Sequence, residues 1–459
     1  MLLALTLTAL LSAPRAPADA ELVTHVPRLD GLSTLLPFFD AAGARAALLR
    51  PATWRAEAHP LLEFDVTDAT SLEAAGIDAR ASLTVSRAGG ASISCVTLKD
   101  VKRYVERCGD RLRRLGDVTS RVEGGVTIVG ARDPLNRVLG GYVLRGAESC
   151  AAVAHGGTLE KQLPALAKTL AKTASGPGFA LAQGLPGVAQ VVVPKGGPIG
   201  ALTLSGDGLT LTANAKAKGL TVAPLSGAGT SPFAQLAPPG LAVVRARLSP
   251  MALAPVLTQV VGALPNAGSL APLVEQAAPL LTGNVALYAA RVKVTRGLRT
   301  REARYFAVRH VLLAEVKDPA AAKALVDAVK PGALTSRDGT IELGLSGKTL
   351  YLSNDTAARD AALGALEGAS GAQAHAGEAV VDPRRLAEAL AQVPLLEALQ
   401  APELAALVAA ATELGPLLLA SKRVEGWVDA AGPGQHRAQA TWQLDEAKLP
   451  GTGRSPSAP

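Results

Sequence analysis

Aromatic residues make up only 3% of the 459-residue chain, too few for the stacking platforms that hold single-stranded nucleic acid, so no nucleic-acid partner is expected. Histidine is also scarce. His25, His59, His155, His310, His375 and His436 show none of the close spacings that place two metal ligands on one helix face or strand. The chain has no Gly-x-Ser-x-Gly nucleophile elbow. Gly344-Leu345-Ser346-Gly347-Lys348-Thr349 ends like a phosphate-binding loop. However, Glu342 stands where the leading glycine is needed, and the segment lies between two strand patterns instead of opening a helix. The reading is therefore a non-enzyme with no cofactor and no metal.

Long apolar runs are missing as well. Leu2 to Ser12 is an uncharged stretch too short to span a bilayer. It is followed by the small residues of Ala18-Asp19-Ala20, the pattern of a signal peptide over 1–20, although only the Met1 amino group supplies the leading positive charge. No cysteine adjoins Ala20, so lipid attachment there is chemically closed. The expected mature chain is periplasmic or extracellular, with no transmembrane span. Further along, the runs 253–264, 270–281 and 404–419 are broken by Pro265, Pro272, Pro402 and Pro416 and by Glu275, Glu403 and Glu413. They read as core helices, with a hydrophobic ligand groove as the alternative.

Only three cysteines occur, Cys95, Cys108 and Cys150, so at most one disulfide can form within the chain and its connectivity stays open. Cys108 belongs to the stripe Val101, Tyr104, Val105, Cys108, Leu112, Leu115 of an amphipathic helix and reads as core. The net charge of +7 is a mild excess that names no partner.

What the chain does have is a faint internal repeat. Strand patterns at 81–87 and 92–99 flank a Gly89-Gly90 turn, and Asp100 then caps a helix over 101–115. The same order returns as 285–294, 305–317 and a helix opened by Asp318-Pro319. Thr119-Ser120-Arg121 matches Thr335-Ser336-Arg337. Strands at 126–130 and 141–144 then align with 341–345 and 349–353, which sets Tyr142 opposite Tyr351. Each half closes with a hairpin, 201–216 in the first and 423–444 in the second. The expected fold is α+β, a tandem duplicated module in which each copy is an antiparallel sheet with helices packed on one face. The expected divisions are modules over 21–223 and 241–448, a Pro/Gly/Ser-rich connector over 224–240, and a disordered tail over 449–459.

The stretch from Phe64 to Asp78, with its Asp68, Ser71-Leu72 and Gly76-Ile77-Asp78 landmarks, resembles the lead-in of an uncharacterised family of exported bacterial proteins of unknown function. The resemblance runs through the strand pair ending in Lys99-Asp100 to the following helix and covers about half of the chain. It implies an extracytoplasmic tandem module with no known catalytic residues.

Two basic features remain. Arg103, Arg107, Arg111 and Arg114 line the helix face opposite the apolar stripe and read as solvated. Between the first two strands of the second half stand Arg291, Lys293, Arg296, Arg299, Arg301, Arg304 and Arg309, with Glu302 as the single carboxylate. This hairpin is either an anion-facing loop or ordinary solubilising charge. The functional expectation is an exported, non-enzymatic binding or structural protein of the bacterial cell envelope, and the alternative is a periplasmic carrier of lipid or another apolar ligand. An anionic envelope component or a protein is the class of partner such a surface would meet.

Overall fold

The computed structural model describes residues 15–17, 19–50, 58–155, 157–171, 174, 177–194, 200–218, 225–249, 253–255, 258, 271–295, 305–330, 332, 334–336, 339–391, 412–432 and 434–449. The chain divides into two compact units, residues 1–219 and residues 220–459. Ten strands build the first: β1 (Leu22–Val26), β2 (Leu83–Ala88), β3 (Ala91–Thr97), β4 (Asp117–Glu123), β5 (Val126–Arg132), β6 (Val138–Arg145), β7 (Glu148–Ala154), β8 (Ala189–Val192), β9 (Ala201–Asp207) and β10 (Thr210–Lys218). They pair in the order β4-β5-β6-β7-β3-β2-β1-β8-β9-β10, every pair antiparallel.

The second unit contains β11 (Gly229–Ser231), β12 (Ala242–Arg247), β13 (Leu281–Thr295), β14 (Tyr305–Val316), β15 (Thr335–Ser336), β16 (Gly339–Thr340), β17 (Glu342–Ser346) and β18 (Thr349–Ser353). It continues with β19 (Gly371–Gln373), β20 (Gly377–Val381), β21 (Ser421–Gly432) and β22 (Gln435–Leu444). Its main order is β17-β18-β14-β13-β12-β20-β21-β22, again antiparallel throughout. Two short pairs, β11 with β19 and β15 with β16, stand apart from it.

Helices cover both faces of each sheet, which corrects the expectation of one covered face. On one face of the first unit, the Val101–Leu115 helix sets Tyr104, Cys108 and Leu112 against Leu83, Val96, Val129 and Ala151. On the other, the Gln162–Ala171 helix sets Leu163, Leu166 and Leu170 against Ile93, Cys95, Ile128 and Cys150. Neighbouring residues of β3 point to opposite faces, so a strand with Ile93, Ser94, Cys95 and Val96 all buried must be covered twice. In the second unit Val285 and Ala314 lie beneath the Ala271–Ala277 and Pro319–Ala328 helices. Ala286 and Leu313 lie beneath the Thr356–Gly364 helix on the reverse face. The alternation in β2 misleads because Thr84 and Ser86 are small enough to be buried as well.

The helix starts agree with the sequence reading. Asp100 accepts from the Arg103 amide, and Asp318 accepts from the amides of Ala320 and Ala321. One equivalence does not hold. The strand paired with β14 is β18, whereas the strand paired with β3 is β7 and not β6, so Tyr142 and Tyr351 occupy different places. The stretch 224–240 is also more than a connector, since β11 pairs with β19 and the side chains of Phe233 and Leu236 are buried in the second unit's core. Of the tail expected over 449–459, Leu449 is buried and 450–459 lie outside the described residues. Of the leader expected over 1–20, residues 1–14 and 18 lie outside them. Arg15 pairs with Glu148 at 2.9 Å, and Ala16 and Ala20 are buried beside Val23.

Candidate functional site

Between β2 and the first strand the chain makes a long excursion, and this segment builds a roof over one end of the first sheet. Leu29, Leu32 and Leu35 recur every third residue, and the segment Leu29–Leu35 is a 3-10 helix with that stripe buried. Three residues per turn keeps a three-residue repeat on one side, which a 3.6-residue helix could not do. Pro37 then starts the Leu36–Gly43 helix. Gly206 of β9 lies so close beneath Thr34 that a Cβ there would meet the Thr34 carbonyl, so the roof sits directly on the sheet backbone.

The Phe64–Asp78 stretch fixes the other side of the roof. Asp65 accepts from the amide and hydroxyl of Thr67, Ser71 accepts from the Asp65 amide, and Asp68 caps the Ala69–Ala74 helix. Gly76, at φ +79°, offers its carbonyl to the amides of Lys99 and Asp100, while Ile77 bridges to Leu98. Arg103 and Arg107 donate to the carbonyls of Glu73 and Ala74, satisfying the end of that short helix. Two of the four arginines read as solvated therefore clamp helix to helix. The landmarks behind the family resemblance all serve local architecture.

Under this roof lies a cavity of about 370 Å³. Its floor is made of cross-strand pairs on a single face: Thr24 with Val85, Val26 with Leu83, and Ala189 with Leu204. Leu32, Leu35, Phe39, Ala58 and Val66 supply the walls. Among the described lining residues Thr24 is the one with a polar side chain, so these residues offer a single hydroxyl to an otherwise apolar occupant. A hollow in the second unit, lined by Leu273, Val274, Leu312, Leu343 and Leu350 among others, is about 60 Å³.

Next to Ala58 begins a closed polar chain. His59 Nδ1 accepts from the amides of Leu61 and Leu62 at 3.2 and 3.1 Å, so the ring proton sits on Nε2 and is donated to the Tyr104 hydroxyl at 3.1 Å. Ser149 Oγ lies 3.0 Å from that hydroxyl and 3.1 Å from the Val143 carbonyl. A carbonyl can only accept, so Ser149 donates to Val143 and Tyr104 donates to Ser149. Burial pulls the His59 pKa down to about 3 and pushes the Cys108 thiol, which lies against Tyr104, up to about 12. The chain ends on backbone groups of Leu61, Leu62 and Val143, so it ties the segment around His59 to the Val101–Leu115 helix and to β6 and β7.

The basic hairpin is held down at its base. Arg291 pairs with Asp355 at 2.9 Å, and the buried Arg309 approaches the same carboxylate at 4.0 Å. Burial works to raise the Asp355 pKa, but Arg291, the Ala358 amide and Arg309 outweigh it and hold the group below the usual carboxylate range. Lys293 belongs to β13, with its side chain outside the described set; Arg296, Arg299, Arg301 and Arg304 lie outside the described residues. Cys95 and Cys150 are bonded across β3 and β7, while Cys108 is a free, buried thiol on the opposite face of the sheet. His375 stands 2.8 Å from Asp429 and stacks on Trp427 at 4.2 Å, a grouping that residue spacing does not reveal. Among the described residues no group of three or more His, Cys, Asp or Glu side chains is placed to hold a metal, and no helix is long and apolar enough to cross a membrane.

Protein-family models, curated proteins and solved structures contain no match to this chain.

Proposed function

We propose that the chain is an exported, non-enzymatic binding protein of the cell envelope whose first unit carries a small apolar ligand. The cavity beneath the Leu29–Gly43 roof carries this reading. Its volume falls in the range of small-ligand pockets, about 300–1,000 Å³, and its lining is apolar with one orienting hydroxyl. The leading apolar run and the Cys95–Cys150 bond are consistent with export to an oxidising compartment. Native mass spectrometry of protein taken from its own envelope, joined to titration with the apolar fluorophore N-phenylnaphthylamine, tests it. The expected result is one bound small molecule and saturable fluorescence. Ala189→Phe should abolish both by filling the floor, with little loss of thermal stability because the added ring enters empty space. A ligand-free chain that does not bind the fluorophore sinks the carrier reading and leaves a structural role.

We also infer that the two units descend from one duplicated module. The orders β7-β3-β2-β1-β8-β9-β10 and β18-β14-β13-β12-β20-β21-β22 run in parallel, and an aspartate-capped helix follows the second strand of each long hairpin. Superposing those seven strands pair by pair should bring Asp100 onto Asp318. A better fit in any other strand order counts against duplication.

A further inference from the structure

Strand β4 has β5 as its one strand neighbour among the described residues, and the register runs without a bulge from Asp117 opposite Arg132 to Glu123 opposite Val126. All seven of its residues are exposed. Edge strands are commonly blunted by proline, lysine or a bulge, because a bare edge presents unpaired amides and carbonyls to any other strand. Asp117-Val118-Thr119-Ser120-Arg121-Val122-Glu123 has no proline, lysine or bulge, and its three charges, Asp117, Arg121 and Glu123, are of mixed sign and so repel a second strand only in some registers. Gly124 and Gly125, both at positive φ, make the tight turn that holds the hairpin straight. Val118 and Val122 are exposed on one face, and an open groove of about 290 Å³ runs along the other beside Thr119 and Arg121.

We propose that β4 is a self-association edge, pairing antiparallel with β4 of a second copy of this chain so that Thr119 faces its own counterpart. Charge and length of overlap together select this register, since the other charge-complementary one, centred on Val122 with Arg121 opposite Glu123, overlaps only residues 121–123 of the strand. Centring on Thr119 sets Asp117 opposite Arg121 of the second copy, twice by symmetry, with a Thr–Thr pair on the axis. On the other face Val118 lies diagonal to its own counterpart. A shift that centres Ser120 places Asp117 against Glu123, and one that centres Arg121 sets two guanidiniums against each other; both juxtapose like charges. Arg121 must exchange its exposed pairing with Glu123, 2.9 Å away, for the new one, and an exposed pair of that kind is weakly held.

Sedimentation of the full chain over a concentration series tests this. A monomer–dimer equilibrium that weakens with salt is expected. Asp117→Arg should weaken the dimer roughly tenfold or more, since both symmetric pairs turn repulsive. Adding Arg121→Asp to that variant should restore it, and Thr119→Lys, which sets two ammonium groups together on the axis, should abolish it. Thermal melts of each variant confirm folding, since the changed side chains are all exposed. A chain that stays monomeric throughout overturns the proposal. So does a dimer indifferent to Thr119→Lys, one strengthened by Asp117→Arg, or one that the double exchange fails to restore.

Discussion

Replacing both Cys95 and Cys150 with alanine should lower the stability of the first unit by about 4 kcal/mol. The two residues are 55 apart in sequence, and releasing a loop of that length returns roughly this much entropy to the unfolded chain. For a unit of this size the melting temperature should fall by roughly 8–16 °C. Cys108 cannot take the place of either partner, because it packs under the Val101–Leu115 helix while the bond lies beneath the Gln162–Ala171 helix on the reverse face. Calorimetry of the double variant is the measurement, with the second unit's transition as an internal reference. Thiol titration of envelope-derived protein after denaturation should find one free thiol, that of Cys108. Three free thiols would remove the disulfide and, with it, one of the two arguments for an oxidising compartment.

The parts of the fold that were legible in the sequence are those set by local chemistry. The helix over 101–115 was bounded correctly because Asp100 caps it and its apolar spacing is regular. The paired strands of both long hairpins were visible for similar reasons. Which faces are buried was not legible, because in this sheet small polar residues occupy interior positions: Thr84 and Ser86 look like a solvent face but sit under a second layer. Phe233 and Leu236 were hidden by their proline- and glycine-rich neighbours.

The cavity was missed for a different reason. Its walls come from a stretch whose apolar residues recur every third position, a period belonging to neither an α-helix nor a strand, although Leu29, Leu32 and Leu35 are a readable sign of a 3-10 turn. Its floor comes from four strands distant in sequence. No spacing announces such a site, because the shape of the hollow depends on how far the roof stands from the sheet. The polar chain through His59, Tyr104 and Ser149 is equally non-local, each partner being 45 residues from the next.

That chain should make the first unit sensitive to acid. Burial lowers the folded pKa of His59 from 6.5 to about 3, so between those values the unfolded chain binds a proton that the folded one does not. Stability contributed by the neutral ring is therefore complete above pH 6.5 and declines as the pH falls. At pH 4 the loss should reach about 3 kcal/mol. Tyr104 faces the ring at 5.7 Å, Tyr142 and Cys108 lie against Tyr104 in turn, and all three stay neutral across this range because burial raises their pKa values. Asp30 and Asp133, whose folded pKa values are lowered, add a loss of the same sign at lower pH, but they do so in any His59 variant alike. Urea titrations of wild type and His59→Gln at pH 7 and pH 4 isolate the histidine. The variant should be less stable at pH 7, where it lacks the paired ring, and should lose much less on acidification. An equal loss in both proteins would mean that the ring is reached by water and protonates in place, and the roof over the cavity would then have to open near pH 6.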